Sequence, residues 1–97
     1  MKRYRLSPGA QRDMADIWLY SAQNWGVDRA DDYIRALTDA MVLLVEDPSL
    51  GVSCENVRPG YRKRLSGSHA IFYRQERAAI VVIRVLHQNM DAARNLH

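Results

Sequence analysis

The residues with chemistry to offer crowd into the last third of the chain. The stretch "RVLHQNMD", Arg84 to Asp91, carries a strand-like run to a histidine, His87, and then to amides and an acid. Upstream, Arg62 and Arg64, with Lys63 between them, share one face of a strand-like segment by alternation, and Arg74 shares a face with Ala70 and Phe72 on the next. If the strand register aligned them with Arg84, one sheet face would present several guanidinium groups with His87 at its edge. Such a surface can hold a scissile phosphate, stabilise its developing charge and move a 2′-OH proton, which is the chemistry of RNA cleavage. Arg62, Lys63, Arg64, Arg84 and His87 would carry it. The same arginines equally suit pairing with the carboxylates of another protein. The binding reading is favoured, because cleavage asks for an acid and a base and only His87 is on offer.

Other chemistries find less support. Ser66 and Ser68 flank a turn glycine but lack the G-x-S-x-G elbow between a strand and a helix. Cys54 stands in a loop with no histidine near it in sequence. Gly51, Gly60 and Gly67 are too far apart for a phosphate-binding loop. Asp13 and Asp16 lie one helical turn apart and read as solvated charges rather than an acid–base pair. His69, His87 and His97 are scattered without metal-ligand spacing, and one cysteine cannot build a metal cage. No cofactor or metal is expected.

The 97 residues are expected to form one domain, 1–97. The apolar stretches "MVLLV" and "AAIVVI" are too short to span a bilayer, and the N-terminus has no apolar signal region. A lone cysteine fits a reducing compartment, so a cytoplasmic location is expected. The net charge is +3, but it is unevenly spread. Residues 58 to 84 hold seven basic side chains against Glu76 alone, whereas residues 1 to 57 are net acidic. That segment points to an anionic partner.

The elements that must position these residues are legible from periodicity. In "RYRLS", Tyr4 and Leu6 point one way and Arg3 and Arg5 the other, a short half-buried strand. Ser7 and Pro8 open a helix as cap and first-turn residue. Met14, Ile17, Trp18, Ser21 and Trp25 form its inner stripe, and Gly26 ends it. Asp28 is placed to cap a second helix with Ala30, Tyr33, Ile34, Leu37, Met41, Leu44 and Val45 inward, closing before Pro48. The short link makes the two an antiparallel hairpin. Trp18, Trp25, Tyr33 and Phe72 all read as core. "SLGVSCENVRPG" reads as a loop. Gly67–Ser68 makes a two-residue hairpin turn between "YRKRLS" and "HAIFYRQ". A turn around Glu76 to Ala78 leads to "AAIVVIRVLH". There Val81, Ile83, Val85 and His87 are assigned to one face and Ile80, Val82, Arg84 and Leu86 to the other. Both faces are apolar, so this strand is central, and the face away from the helices is left for another surface, such as a partner's, to cover. The fold class is therefore α+β. Its order is β-α-α-β-β-β, with a helical hairpin on one face of a small twisted, mainly antiparallel sheet.

"YRLSPGAQRDMADIWLYSAQNWG", "RPGYRKRLSGSHAIFYR" and "IRVLHQNMD" together resemble the ParE toxins of bacterial type II toxin–antitoxin systems, in the RelE/ParE superfamily. The resemblance covers nearly the whole chain. It implies the same element order and a cytoplasmic, non-enzymatic toxin that poisons DNA gyrase. It further implies a hetero-oligomer with a ParD-type antitoxin, a ribbon-helix-helix protein with an acidic tail. Arg58, Tyr61, Arg62, Arg64, Arg74 and Arg84 are the residues expected to meet that tail, and His87 and Met90 the expected target contact. The RelE branch shares the fold and cuts mRNA on the ribosome with a basic cluster and a late tyrosine or histidine. This chain has no tyrosine in its last strand or tail, and "RVLHQNMD" resembles ParE more closely.

Overall fold

The computed structural model describes residues 4–77 and 79–96. Arg3, His97 and the Ala78 end of the last turn lie outside them. A short strand, β1 (Tyr4–Leu6), leads directly into helix α1 (Pro8–Trp25). The Ser7 hydroxyl accepts from Ala10 N at 3.0 Å and donates to Ile83 O at 2.5 Å. One side chain thus caps the helix and ties its start to the sheet. Gly26, at φ +94°, ends α1 and starts α2 (Val27–Glu46), so the hairpin link is a single residue. Asp28 consequently sits in the first turn of α2, not at its cap. Trp18 Nε1 donates to Asp31 at 2.8 Å and holds the two helices together.

After α2, a 3-10 turn (Pro48–Leu50) leads to β2 (Val52–Ser53), then β3 (Tyr61–Ser66), β4 (His69–Glu76), β5 (Ala79–His87) and a short helix α3 (Ala92–Asn95). The stretch read as a loop therefore holds an extra edge strand, and the tail holds a third helix. Both are too short to show a period. The sheet order is β1-β5-β4-β3-β2, with β1 parallel to β5 and the other pairs antiparallel. Gly67, at φ +59°, takes the first turn position between β3 and β4, where a side chain would be strained.

The phase of β5 changes at a bulge. Phe72 pairs with Arg84 but Tyr73 pairs with Val82, so Ile83 is an extra residue. Ile80, Val82 and Val85 consequently face the helices with Leu37, Met41, Leu44, Ile71 and Tyr73. Leu86 packs on the opposite face with Tyr61, Ala70 and Phe72, and Ile83 lies against that second cluster. The expected division of β5 into two strictly alternating faces is thus corrected: Val85 and His87 part company with Val81 and Ile83. The second face is also not wholly left to a partner. Cys54 and Val57 from the β2–β3 connection, Ala92 of α3 and Leu96 cover it from within the chain.

Beyond Leu6, α1 replaces β1 beside β5. Asp13 on α1 accepts from Val85 N at 2.8 Å, and its carboxylate also receives Arg84 Nε at 2.7 Å and Nη2 at 2.9 Å. Asp13 is therefore a structural acceptor for a strand edge rather than a solvated charge. Among the described residues, every buried side-chain polar atom has a partner.

Candidate functional site

The strand register decides which basic residues meet. Tyr61 lies opposite Arg74, and Lys63 opposite Phe72, so Tyr61, Lys63, Arg74 and Arg84 occupy the face away from the helices. Arg62 and Arg64 pair with Tyr73 and Ile71 and belong to the helix side. The single guanidinium surface that an aligned register would have given is not formed.

The arginines of the helix side are occupied. Arg62 donates to Gly51 O from Nε at 3.1 Å and Nη2 at 2.7 Å, and Arg64 donates to Leu50 O at 3.2 Å. Both pin the turn that follows α2. Tyr73 supports the same turn from below: its buried hydroxyl donates to Pro48 O at 2.5 Å and accepts from Gly51 N at 3.0 Å.

The opposite face carries a groove of ≈ 400 Å³ whose wall includes Arg12, Tyr61, Arg74, Val81, Ile83 and Arg84. Arg84 is fixed in it by Asp13 and by Asn95 O at 3.0 Å. The Asp13 carboxylate holds the Arg84 pKa above its ordinary value, against the opposing effect of burial. Arg74 pairs with Glu76 at the rim, and the same contact holds Glu76 below the usual carboxylate range. Arg58 lies exposed in the connection before β3. Lys63 is half-buried on this face.

A second, larger cleft of ≈ 580 Å³ opens between the helical hairpin and the β3–β4 turn. One wall is apolar: Ile17, Tyr20 and Trp25, the last two in an edge-to-face contact with ring centroids 5.9 Å apart. Trp25 is 57% exposed, so it is a surface residue and not core. The last turn of α1 continues the helical period past the sheet it would pack on. Asp16 and Arg29 stand at the rim.

His87 lines this cleft, and β4 brings His69 directly opposite it, rings 5.4 Å apart and edge to face. Tyr33 Oη lies 2.6 Å from His69 Nδ1 and accepts from Ser68 N at 2.9 Å. Burial and then the neighbouring His87 lower the His69 pKa, with Asp13 acting weakly the other way. His69 was not singled out from sequence. Its only signal was its place directly after the Gly67–Ser68 turn, and pairing it with His87 requires the β4–β5 register that the bulge hides. Met90, 46% exposed, follows His87, with its N–H on His87 O at 2.8 Å. Among the described residues no group of three His, Cys, Asp or Glu could hold a metal ion, and no helix is long and apolar enough to cross a membrane.

Known proteins provide the context for these two surfaces. A family model described as the ParE toxin of type II toxin–antitoxin system, parDE, matches residues 4–92. Toxin ParE1 of Caulobacter vibrioides is 49% identical over 96 residues, which cover 99% of each chain. Toxin ParE1 of Mycobacterium tuberculosis is 47% identical over 95 residues, 97% of each chain. Among solved structures, a chain of the chromosomal ParDE TA system from P. aeruginosa matches with a TM-score of 0.77 at 16% identity, over 90% of this chain and 96% of that one. At that identity the likeness is one of fold.

Proposed function

This chain belongs to the ParE toxin family of type II toxin–antitoxin systems, and from that premise we propose that it acts in the cytoplasm by inhibiting DNA gyrase until a ParD-type antitoxin binds it. The partner reading rests on one observation, the basic groove on the sheet face away from the helices. An acidic tail that folds on binding needs fixed cations beside apolar surface. The groove supplies both, with Arg12, Arg74 and Arg84 around Tyr61, Val81 and Ile83. Of the six residues expected to meet the tail, Tyr61, Arg74 and Arg84 share this groove, and Arg58 stands free to reach a partner. Arg62 and Arg64 act at a distance, by holding the turn after α2. His87 and Met90, exposed at the end of β5, are the proposed target contact.

Charge reversal tests the groove. Arg12→Glu with Arg74→Glu should weaken antitoxin binding more than about threefold, since rim charges steer and pair without being deeply buried. Unchanged affinity places the interface elsewhere. The target is tested by adding the protein to gyrase supercoiling and DNA-cleavage assays. Accumulated cleaved DNA supports the reading. mRNA cut at ribosomal A-sites in a translating extract would instead support an endoribonuclease of RelE type. That second reading is weakened by the register, which divides Arg62 and Arg64 from Lys63 and Arg84.

A further inference from the structure

The segment proposed to meet the target is not ordered by burial, since His87, Gln88, Asn89 and Met90 are all exposed. Besides its own turn, with Met90 N–H on His87 O, it is held from β4. Gln88 N–H donates to Ser68 O at 3.0 Å, and His87 pairs with His69, rings edge to face. Both partners adjoin the β3–β4 turn, whose Gly67 and Ser68 are likewise exposed. Tyr33 fastens this turn from another layer. It packs against the main core from α2 and carries its hydroxyl out to the turn, where Oη accepts from Ser68 N at 2.9 Å and lies 2.6 Å from His69 Nδ1. Whichever of these two atoms brings the proton, the contact is one hydrogen bond. Gly67 makes room for the phenol: a Cβ there would stand 2.7 Å from Tyr33 Oη and 2.8 Å from Cε1. A chain of contacts thus runs from α2 through one phenol, the turn and the His69 ring to the end of β5.

We propose that Tyr33 is a positioning residue for the toxin's target: without touching the target, its hydroxyl sets the β3–β4 turn and, through the turn, the orientation of His87 and Met90. The inference rests on the reading of those two residues as the target contact and goes beyond it by naming what presents them. Preorganisation is the physical basis. A segment left free to move must be ordered when the target binds, and that ordering is subtracted from affinity. The phenol orders the segment beforehand, because the helix that carries it is fixed by Leu37, Met41 and Leu44 in the core. Loss of the hydroxyl is therefore felt at the target and little in the fold. Ser68 N–H stands at the surface, where water replaces the missing partner. The basic groove lies on the opposite face of the sheet from α2, so binding there does not register the change.

The test compares the whole wild-type protein with Tyr33→Phe, which keeps the ring and removes the hydroxyl, and with Tyr73→Phe, which breaks a buried hydroxyl contact at a different turn. Four readouts are taken for each: the concentration that gives half-maximal cleaved DNA with gyrase, Tm, affinity for the antitoxin, and the NMR resonances of the His87 ring and Met90 methyl. Tyr33→Phe should lose roughly fivefold in gyrase potency, the equivalent of one ordinary hydrogen bond. It should move the His87 and Met90 resonances and keep antitoxin affinity within about twofold. Tyr73→Phe should lower Tm more and leave gyrase potency within about twofold. Unchanged potency in Tyr33→Phe overturns the proposal. So does a loss that Tyr73→Phe shares, which makes the effect one of stability alone. If His87→Gln with Met90→Ala keeps full potency, the contact lies elsewhere and the proposal falls with it. If the wild-type protein leaves gyrase unaffected, the target reading fails and the resonances decide the rest: His87 and Met90 unmoved in Tyr33→Phe overturn the positioning role, and displaced resonances uphold it.

Discussion

Replacing Asp13 by Ala removes one carboxylate that serves three donors, Arg84 Nε, Arg84 Nη2 and Val85 N. The Asp13 side chain is 12% exposed and that of Arg84 27%, so both groups lie largely out of water. The Val85 N–H loses its acceptor at a strand edge that α1 covers, which costs about 1–3 kcal/mol. Arg84 loses its counter-charge but keeps Asn95 O and some solvent, so its share falls below the ~3–5 kcal/mol of a fully buried broken pair, at about 1–2 kcal/mol. The total is about 3 kcal/mol, and in a domain of this size it should lower Tm by roughly 15 °C. Urea unfolding followed by far-UV circular dichroism measures it. Arg84→Ala should cost less, because Asp13 still holds Val85 N. The double variant should then show a coupling of about 1–2 kcal/mol. A loss below ~1 kcal/mol for Asp13→Ala, or strict additivity in the cycle, refutes the claim that this carboxylate fastens α1 to the edge of β5.

Tyr73→Phe strands Gly51 N–H and Pro48 O in a buried site and should cost about 1–3 kcal/mol, read from the urea midpoint at constant m. Trp25→Ala should change stability by less than ~0.5 kcal/mol, as expected of a surface side chain; a large fall in Tm would return Trp25 to the core. Burial and His87 hold the His69 pKa below its ordinary value of ~6.5, so between that lowered value and ~6.5 the unfolded chain binds the proton that the folded protein refuses. Stability is therefore full above about pH 6.5 and declines as pH falls through this window. His69→Gln should flatten that decline in thermal melts, and an equal decline in both proteins rules the account out.

Where local chemistry set the structure, the sequence was readable. Ser7–Pro8 starts a helix, Gly26 breaks one, Gly67–Ser68 turns a hairpin, and the stripe from Ala30 to Val45 faces the core. Where the outcome depended on distant register, it was not. The bulge at Ile83 reverses the phase of β5 without leaving a mark on its composition. Asp13 looks like any charged helical residue until α1 is laid beside β5 and Val85 needs an acceptor. The same limit applies to the site. His87 was visible as the end of an apolar run, and the basic segment was visible as charge. That the arginines divide between two faces, and that His69 joins His87, follows only from strand pairing.

At one edge the sheet ends in β2, a strand of only two residues. So little free backbone offers few rungs for a visiting strand to bind. At that edge a visiting chain finds side chains to meet and not a ladder that any extended peptide could join. Exchanging a handful of exposed side chains can therefore alter what this surface accepts, with the scaffold beneath untouched.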